Sequence, residues 1–155
     1  ELQGVRDAIY RPLGNFTRLG SFAGRKLSSL LVPPSVPVRN SELEPEAVQL
    51  SKLIRALGSA VQRLLVQHQM SIVDRQYQLG RIADAATELY VSACVLNRLD
   101  AMLRDHHDHD AAFRLDLESG RYYLLTARRR IRQSLAALWD NDDEATTAIA
   151  NRMLK

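Results

Sequence analysis

Residues 68–103 read HQMSIVDRQYQLGRIADAATELYVSACVLNRLDAML, and this stretch decides the fold. Leu79, Ile82, Ala86, Leu89, Ala93, Leu96, Asp100 and Leu103 recur at alternating intervals of three and four. That is the period of one helix face, whereas the inward positions of a strand recur every second residue. The stripe predicts about 30 residues of helix, roughly 45 Å long. Ser71 and Asp74 are placed to cap it. Gly80, Ala83, Ala85, Ala86 and Ala93 are small enough to let neighbouring helices come close. Cys94 lies in the apolar run of residues 91–96 and reads as a buried small hydrophobe. It is the chain's one cysteine, so no internal disulfide forms and a reducing compartment is the default.

The same period recurs on both sides of this stretch. Upstream, Ser41 and Glu44 fit a capping box and Pro45 suits a first helical turn. Val48, Leu50, Leu53, Ile54, Leu57, Val61, Leu64 and Leu65 then predict a helix to about Gln69. Downstream, the polar run of residues 105–110 (DHHDHD) reads as a turn. A third helix follows from about Ala111 to Trp139, burying Phe113, Leu117, Leu124, Ala127, Ile131, Leu135 and Leu138, with Gly120 a local cost. The acids of residues 140–143 stop it and suit the start of a short fourth helix carrying Ala145, Ala148, Ile149 and Met153. No internal repeat and no strand pattern competes. The fold class is therefore all-α, an up-and-down bundle of three long helices and a short fourth.

Residues 1–40 differ in character. Val32-Pro33-Pro34-Ser35-Val36-Pro37 reads as an extended linker. Before it, Ile9, Leu13, Phe16, Leu19, Phe22, Leu27, Leu30 and Leu31 are spaced by about three or four and form a candidate amphipathic arm, broken by Pro12, Gly14, Gly20 and Gly24. Six basic side chains (Arg6, Arg11, Arg18, Arg25, Lys26, Arg39) face only Glu1 and Asp7 there, while the rest of the chain is nearly neutral. Such an arm is either a solvated linker or a surface for an anionic partner. The expected division is 1–40 for arm and linker and 41–155 for the bundle. A start at Glu1-Leu2-Gln3, without methionine, points to a piece of a longer protein.

Composition excludes several classes. The 155 residues are 46% hydrophobic, 25% charged and 6% aromatic, which argues against a β-sandwich, a disulfide scaffold and a wholly disordered chain. No apolar run approaches the roughly 18 residues of a membrane-spanning helix. A net charge of +3 does not by itself imply nucleic acid.

Candidate chemistry is sparse. Asp105, His106, His107, Asp108, His109 and Asp110 are all possible metal ligands, but a tight polar turn uses the same residue types, and no metal is expected. Arg128, Arg129, Arg130 and Arg132 point around the helix rather than into one patch, so ion pairs with neighbouring helices are expected and nucleic-acid binding is not. Arg128 and Arg132 share a face and could bind an acid or a phosphate. Tyr77, Tyr90, Tyr122 and Tyr123 read as core and rim packing with the hydroxyl at the edge. His68 reads as a charge at a helix C-terminus. There is no glycine-rich phosphate loop, no G-x-S-x-G and no C-x-x-C, so no catalytic residue is assigned. From the residues alone, the chain is a helical interaction or scaffold domain with a basic arm.

Residues 68–103 also carry a resemblance. Ile72-Val73, Asp74, Gln76-Tyr77, Leu79, Arg81-Ile82-Ala83-Asp84, Glu88-Leu89-Tyr90 and the Val-Leu-x-Arg ending at Arg98 resemble the C-terminal domain of the very-long-chain acyl-CoA dehydrogenases and of acyl-CoA dehydrogenase family member nine. The 105–110 turn and the segment PLGNFTRLGSFAGRKL (residues 12–27) are similar to their counterparts there, and the likeness fades after about Asp116. The resemblance implies a parent that binds FAD and oxidises a long-chain acyl-CoA at its α–β bond, passing electrons to an electron-transfer flavoprotein. It carries no catalytic, cofactor or metal residue onto this chain, because that machinery lies in a larger upstream part. It implies packing against that upstream dehydrogenase domain, support of a homodimer, and membrane attachment through the linking segment. Leu13, Phe16, Leu19, Phe22, Leu27 and Leu30 would then meet acyl chains, and Arg11, Arg18, Arg25 and Lys26 lipid phosphates. Packing of this stripe on the dehydrogenase domain remains the alternative. The implied location is the inner face of the cytoplasmic membrane in a bacterium, or the mitochondrial inner membrane in a eukaryote. A stand-alone helical adaptor without enzyme activity is the alternative function.

Overall fold

The computed structural model describes residues 34–105 and 110–154. Four helices carry it: α1 (Glu44–His68), α2 (Gln76–Asp105), α3 (Ala111–Ala136) and α4 (Asp143–Met153). Single 3-10 stretches precede α1 at Ser41–Leu43 and join α1 to α2 at Gln69–Asp74. No strand occurs among the described residues. The expected bundle of three long helices and a short fourth is present.

Two cross-connections fix the directions of the long helices. Arg121 in the first half of α3 reaches Glu42, just before α1, and Glu46 in its first turn. Near the other end, the Arg63 guanidinium of α1 lies 4.0 Å from the centre of the Trp139 ring, just past α3. α1 and α3 are therefore parallel, and α2 runs back between them. The core joins Leu43, Ala47, Leu50 and Leu53 to Ala85, Leu89, Leu96 and Leu99 of α2 and Ile131 of α3. Fully burying one such leucine or isoleucine is worth about 1.5–3 kcal/mol.

The 3-10 turn that leads into α1 starts from Asn40, not from the expected Ser41 cap, and α1 itself has no side-chain cap. The Asn40 side chain accepts from the Glu42 N–H at 2.9 Å. Its backbone is held extended because Asp100 accepts from the Arg39 N–H (3.0 and 3.1 Å) and the Asn40 N–H (2.8 Å). One buried carboxylate on α2 thus sets where the linker ends and the first turn begins. Leu43, wholly buried, follows at once.

The junction after α1 also departs from expectation. Ser71 does not cap α2: its hydroxyl donates back to the His68 carbonyl at 2.6 Å. The chain turns at Gln69, whose φ of 48° is unusual for a side-chain-bearing residue. α3 ends at Ala136 rather than Trp139, since the Trp139 N–H bonds to the Ala136 carbonyl and the Asn141 amide donates to the Ala137 carbonyl.

On α2 the buried set is Ala85, Leu89, Ser92, Leu96, Leu99 and Asp100. Its centre is rotated by about 50° from the expected stripe, toward a row at spacing seven formed by Ala85, Ser92 and Leu99. Ser92 masks that row in the sequence, yet its hydroxyl is satisfied by the Glu88 carbonyl at 2.7 Å. The rotation exposes Ala86 and Cys94, so Cys94 is not the buried hydrophobe expected. Ala83 is exposed and Gly80 faces open space, so neither mediates close approach. Gly120 does: a Cβ there would lie 2.7 Å from Leu99 Cδ2.

Candidate functional site

α1 and α3 flank a groove of about 620 Å³ along the N-terminal half of α1, with Ser92 of α2 among its lining residues. Val48, Leu50, Leu53, Leu124 and Leu125 make it apolar, and Glu44, Glu46, Arg121 and Arg128 supply the charge. Val48 and Leu125 remain 45% and 39% exposed, so the groove is open rather than a sealed core void.

Its two arginines differ. The Arg121 Nε lies 3.4 Å from Glu46 Oε1, and its Nη2 3.6 Å from Glu42 Oε2. Arg128, two helical turns or about 10 Å further along α3, has no ion pair or hydrogen bond among the described residues, and its Nε is shielded from solvent. Leaving a buried donor unmade costs about 1–3 kcal/mol. The groove therefore has one cationic end, an apolar middle and an acidic end. It can hold an apolar body with an acid toward Arg128. Ser92, whose hydroxyl is already used by Glu88, is no free nucleophile.

Two further charged clusters tie helices together. The Arg81 guanidinium grips Asp143 with two 2.6 Å bonds, fastening the start of α4 to α2. That hydrogen bonding holds the Asp143 carboxyl below its ordinary range and raises the Arg81 pKa. On the other side, Arg130 donates to Glu88 at 2.7 and 3.0 Å, and the Tyr123 hydroxyl donates to Glu88 at 3.1 Å. The Arg130 bond lowers the Glu88 pKa against the opposing effect of burial, with Tyr123 helping. Burial, then the bond to Glu88, pushes the Tyr123 hydroxyl up.

The arginine run resolves into separate roles. Arg130 makes the expected ion pair with a neighbouring helix, Arg128 lines the groove, and Arg132 is exposed outside the groove lining. Among the described tyrosines, only Tyr123 is packed with its hydroxyl bonded, while Tyr77, Tyr90 and Tyr122 are 49%, 72% and 68% exposed. His68 does close α1, as expected. In the polar turn, Asp105 pairs with Arg104 and Asp110 caps α3 by accepting from the Phe113 N–H at 2.7 Å. His106, His107, Asp108 and His109 lie outside the described residues, as do the arm positions Arg11, Leu13, Phe16, Arg18, Leu19, Phe22, Arg25, Lys26, Leu27 and Leu30. No three His, Cys, Asp or Glu side chains converge as metal ligands among the described residues. The groove escaped sequence reading. Of the two arginines expected to share an acid-binding face, Arg128 lines it and Arg132 does not.

Comparison with known proteins completes the picture. Residues 41–155 match the family model described as "ACAD9/ACADV, C-terminal domain". The match runs to the last residue, well beyond the point near Asp116 where the resemblance was expected to fade. The chain is 30% identical over 142 residues to the human very long-chain specific acyl-CoA dehydrogenase, mitochondrial, covering 89% of the chain and 21% of that protein. The Macaca fascicularis counterpart is 32% identical over 142 residues, with 89% and 21% covered. The Rattus norvegicus one is 28% identical over 156 aligned positions, with 93% and 22% covered. The chain thus spans about a fifth of the length of the curated relatives it matches.

Proposed function

The chain belongs to the C-terminal domain family of the very-long-chain acyl-CoA dehydrogenases and acyl-CoA dehydrogenase nine, and on that premise we propose that it serves an FAD-dependent long-chain acyl-CoA dehydrogenase as a non-catalytic helical domain. The family match over residues 41–155 carries this reading. In it, the parent performs fatty-acid β-oxidation and passes electrons to an electron-transfer flavoprotein. This domain packs on the upstream dehydrogenase part, supports the homodimer, and brings the arm to a membrane surface.

Flavin belongs to the upstream part. The α1/α3 groove does not suit a dinucleotide: its lining offers no glycine-rich backbone for a pyrophosphate, and Glu44 and Glu46 would face the phosphates. No step of the oxidation is therefore assigned to a residue of this chain. Its own contribution is mechanical.

Membrane association rests on the arm. Leu13, Phe16, Leu19, Phe22, Leu27 and Leu30 supply apolar area, while Arg11, Arg18, Arg25 and Lys26 add attraction to anionic headgroups. Each basic residue near such a surface is worth about 1 kcal/mol, enough for reversible attachment. No helix among the described residues is long and apolar enough to cross a membrane. The curated relatives carry "mitochondrial" in their names, which favours the inner membrane of that organelle over a bacterial membrane face.

The test uses the intact native gene product. A yellow protein several times the mass of this chain, whose flavin bands bleach on adding a long-chain acyl-CoA, is the expected result. Deleting residues 1–32 from it should release it from anionic vesicles without loss of the bleaching reaction. A colourless product no larger than this chain overturns the dehydrogenase reading and leaves the stand-alone adaptor. Vesicle binding that survives the deletion overturns the arm's role alone.

A further inference from the structure

The groove and α4 are unpartnered in complementary ways. Among the described residues the groove presents an unpaired Arg128 at one end, and at the other Glu44 with Glu46, whose Oε1 faces Arg121 and whose Oε2 is unbonded. α4 has no buried residue at all. Ile149 and Met153 are 59% and 82% exposed, and Ala145 lies on the same side one turn before Ile149. Asp142, at the N-cap, precedes this ridge, and Arg152 sits in the last turn. Neither side chain has an ion pair among the described residues. Ten residues separate them, about 15 Å of helix, against about 10 Å between Arg121 and Arg128. The charges of α4 straddle its apolar ridge with signs opposite to the groove's ends, set about 5 Å further apart than those ends, within the reach of the long Arg128 and Arg152 side chains.

The chain's own α4 does not supply this ridge. Arg81 holds its first residue to α2, eleven residues or about 16 Å along the helix from Ser92 of the groove. We propose that α4 of a second copy of this chain docks in the groove. The ridge at Ala145 and Ile149 faces Leu53 and Leu125, Asp142 meets Arg128, and Arg152 meets Glu44 and Glu46. This is helix-in-groove recognition. Reciprocal exchange closes a two-fold dimer instead of an open chain of copies. The inference deepens the homodimer part of the proposed function but rests on the described helices, not on flavin or membrane.

The test is the mass of the 155-residue chain by sedimentation equilibrium over a range of concentrations. A concentration-dependent dimer is expected. Arg128→Glu and Asp142→Lys should each raise its dissociation constant at least about tenfold, the scale of a close interfacial charge pair. The double swap should restore most of the loss. Asp142 and Ile149 are exposed, so Asp142→Lys and Ile149→Glu leave the bundle folded, which circular dichroism checks, and Ile149→Glu should abolish the dimer. A chain that stays monomeric to about millimolar concentration overturns the proposal, as does a dimer indifferent to Ile149→Glu. An intact dehydrogenase that dimerises while this chain alone does not would overturn it too, and would leave the dehydrogenase reading standing.

Discussion

Removing the Asp100 carboxylate should unlatch the linker from the bundle. Asp100 is 8% exposed and accepts from the backbone N–H groups of Arg39 and Asn40. A hydrogen bond to a charged group is worth about 1.5–3 kcal/mol net. Two donors lose their acceptor in Asp100→Ala. Both are only partly buried, so water recovers some of the loss, and the lower end of the range applies to each. The expected cost is about 3 kcal/mol, a large share of the 5–15 kcal/mol that holds a typical domain together. Asp100→Asn keeps one acceptor oxygen without the charge and should lose about half as much. Urea unfolding of the 155-residue chain reads both values, with an unchanged slope confirming that the native state kept its compactness. Amide exchange should quicken first at Arg39, Asn40 and Glu42, the donors that set the start of α1. An Asp100→Ala loss below about 1 kcal/mol, the size of one ordinary neutral bond, would refute the idea that this carboxylate organises the entry to the bundle.

The remaining predictions concern the backbone and the ion pairs. Gly80→Ala should stabilise by about 0.5–1 kcal/mol, since its new Cβ meets nothing. Gly120→Ala should fall at least about 1 kcal/mol below it in urea unfolding, because Leu99 must move out of its packed position; equal effects would refute the close approach of α2 and α3. Gln69→Gly should raise the melting temperature by relieving the positive φ at the end of α1, worth up to about 1–3 kcal/mol; a lower melting temperature would refute strain there. Asp143 and Glu88 both have depressed folded pKa values, so their contribution is full above the ordinary carboxylate range and is lost as pH falls below it. Asp143→Asn should therefore flatten the acid limb of the stability-against-pH curve. Tyr123 has the opposite sense: its raised pKa gives stability that is present below about pH 10 and lost as pH rises beyond it. Tyr123→Phe should remove that alkaline loss, and a tyrosinate absorbance titration of the parent chain should find one phenol ionising late.

The helices were legible in the sequence because their apolar periods are long and uninterrupted. On α3 even the faces were right: Phe113, Ala127 and Ile131 are buried, Leu117, Leu124 and Leu135 pack around the core, and Leu138 is buried in the turn just past the helix. α2 was harder because it is the middle helix. It has neighbours on two sides, so its buried arc is wide, and hydropathy alone finds the row with more carbon. The second row hides behind Ser92, polar by type but satisfied by its own helix. Caps were misplaced for a related reason. Ser41, Ser71 and Asn40 are all competent by residue type, and only Asp100, sixty residues away from Asn40, decides that Asn40 is used. The groove was illegible because it forms between α1 and α3, distant segments whose juxtaposition no local pattern records.

α4 shows the same limit from the other direction. Its pattern of Ala145, Ala148, Ile149 and Met153 is that of a core-facing helix, which predicts a place in the bundle. In the folded chain none of these residues is buried. Eleven residues are too few for a helix to be stable alone in water, and an ion pair with both side chains about one-fifth exposed, as Arg81 and Asp143 are, adds little more than about 1 kcal/mol. Such a helix has kept an apolar face that the other described residues do not cover. The bundle likewise keeps a shielded guanidinium, unpaired among the described residues, in an open groove. Each feature costs stability in the isolated domain, and each ceases to do so when another polypeptide covers it. On the proposed reading, in which the domain assists a dehydrogenase without itself catalysing, it acts through such surfaces, and they are where its function is to be sought.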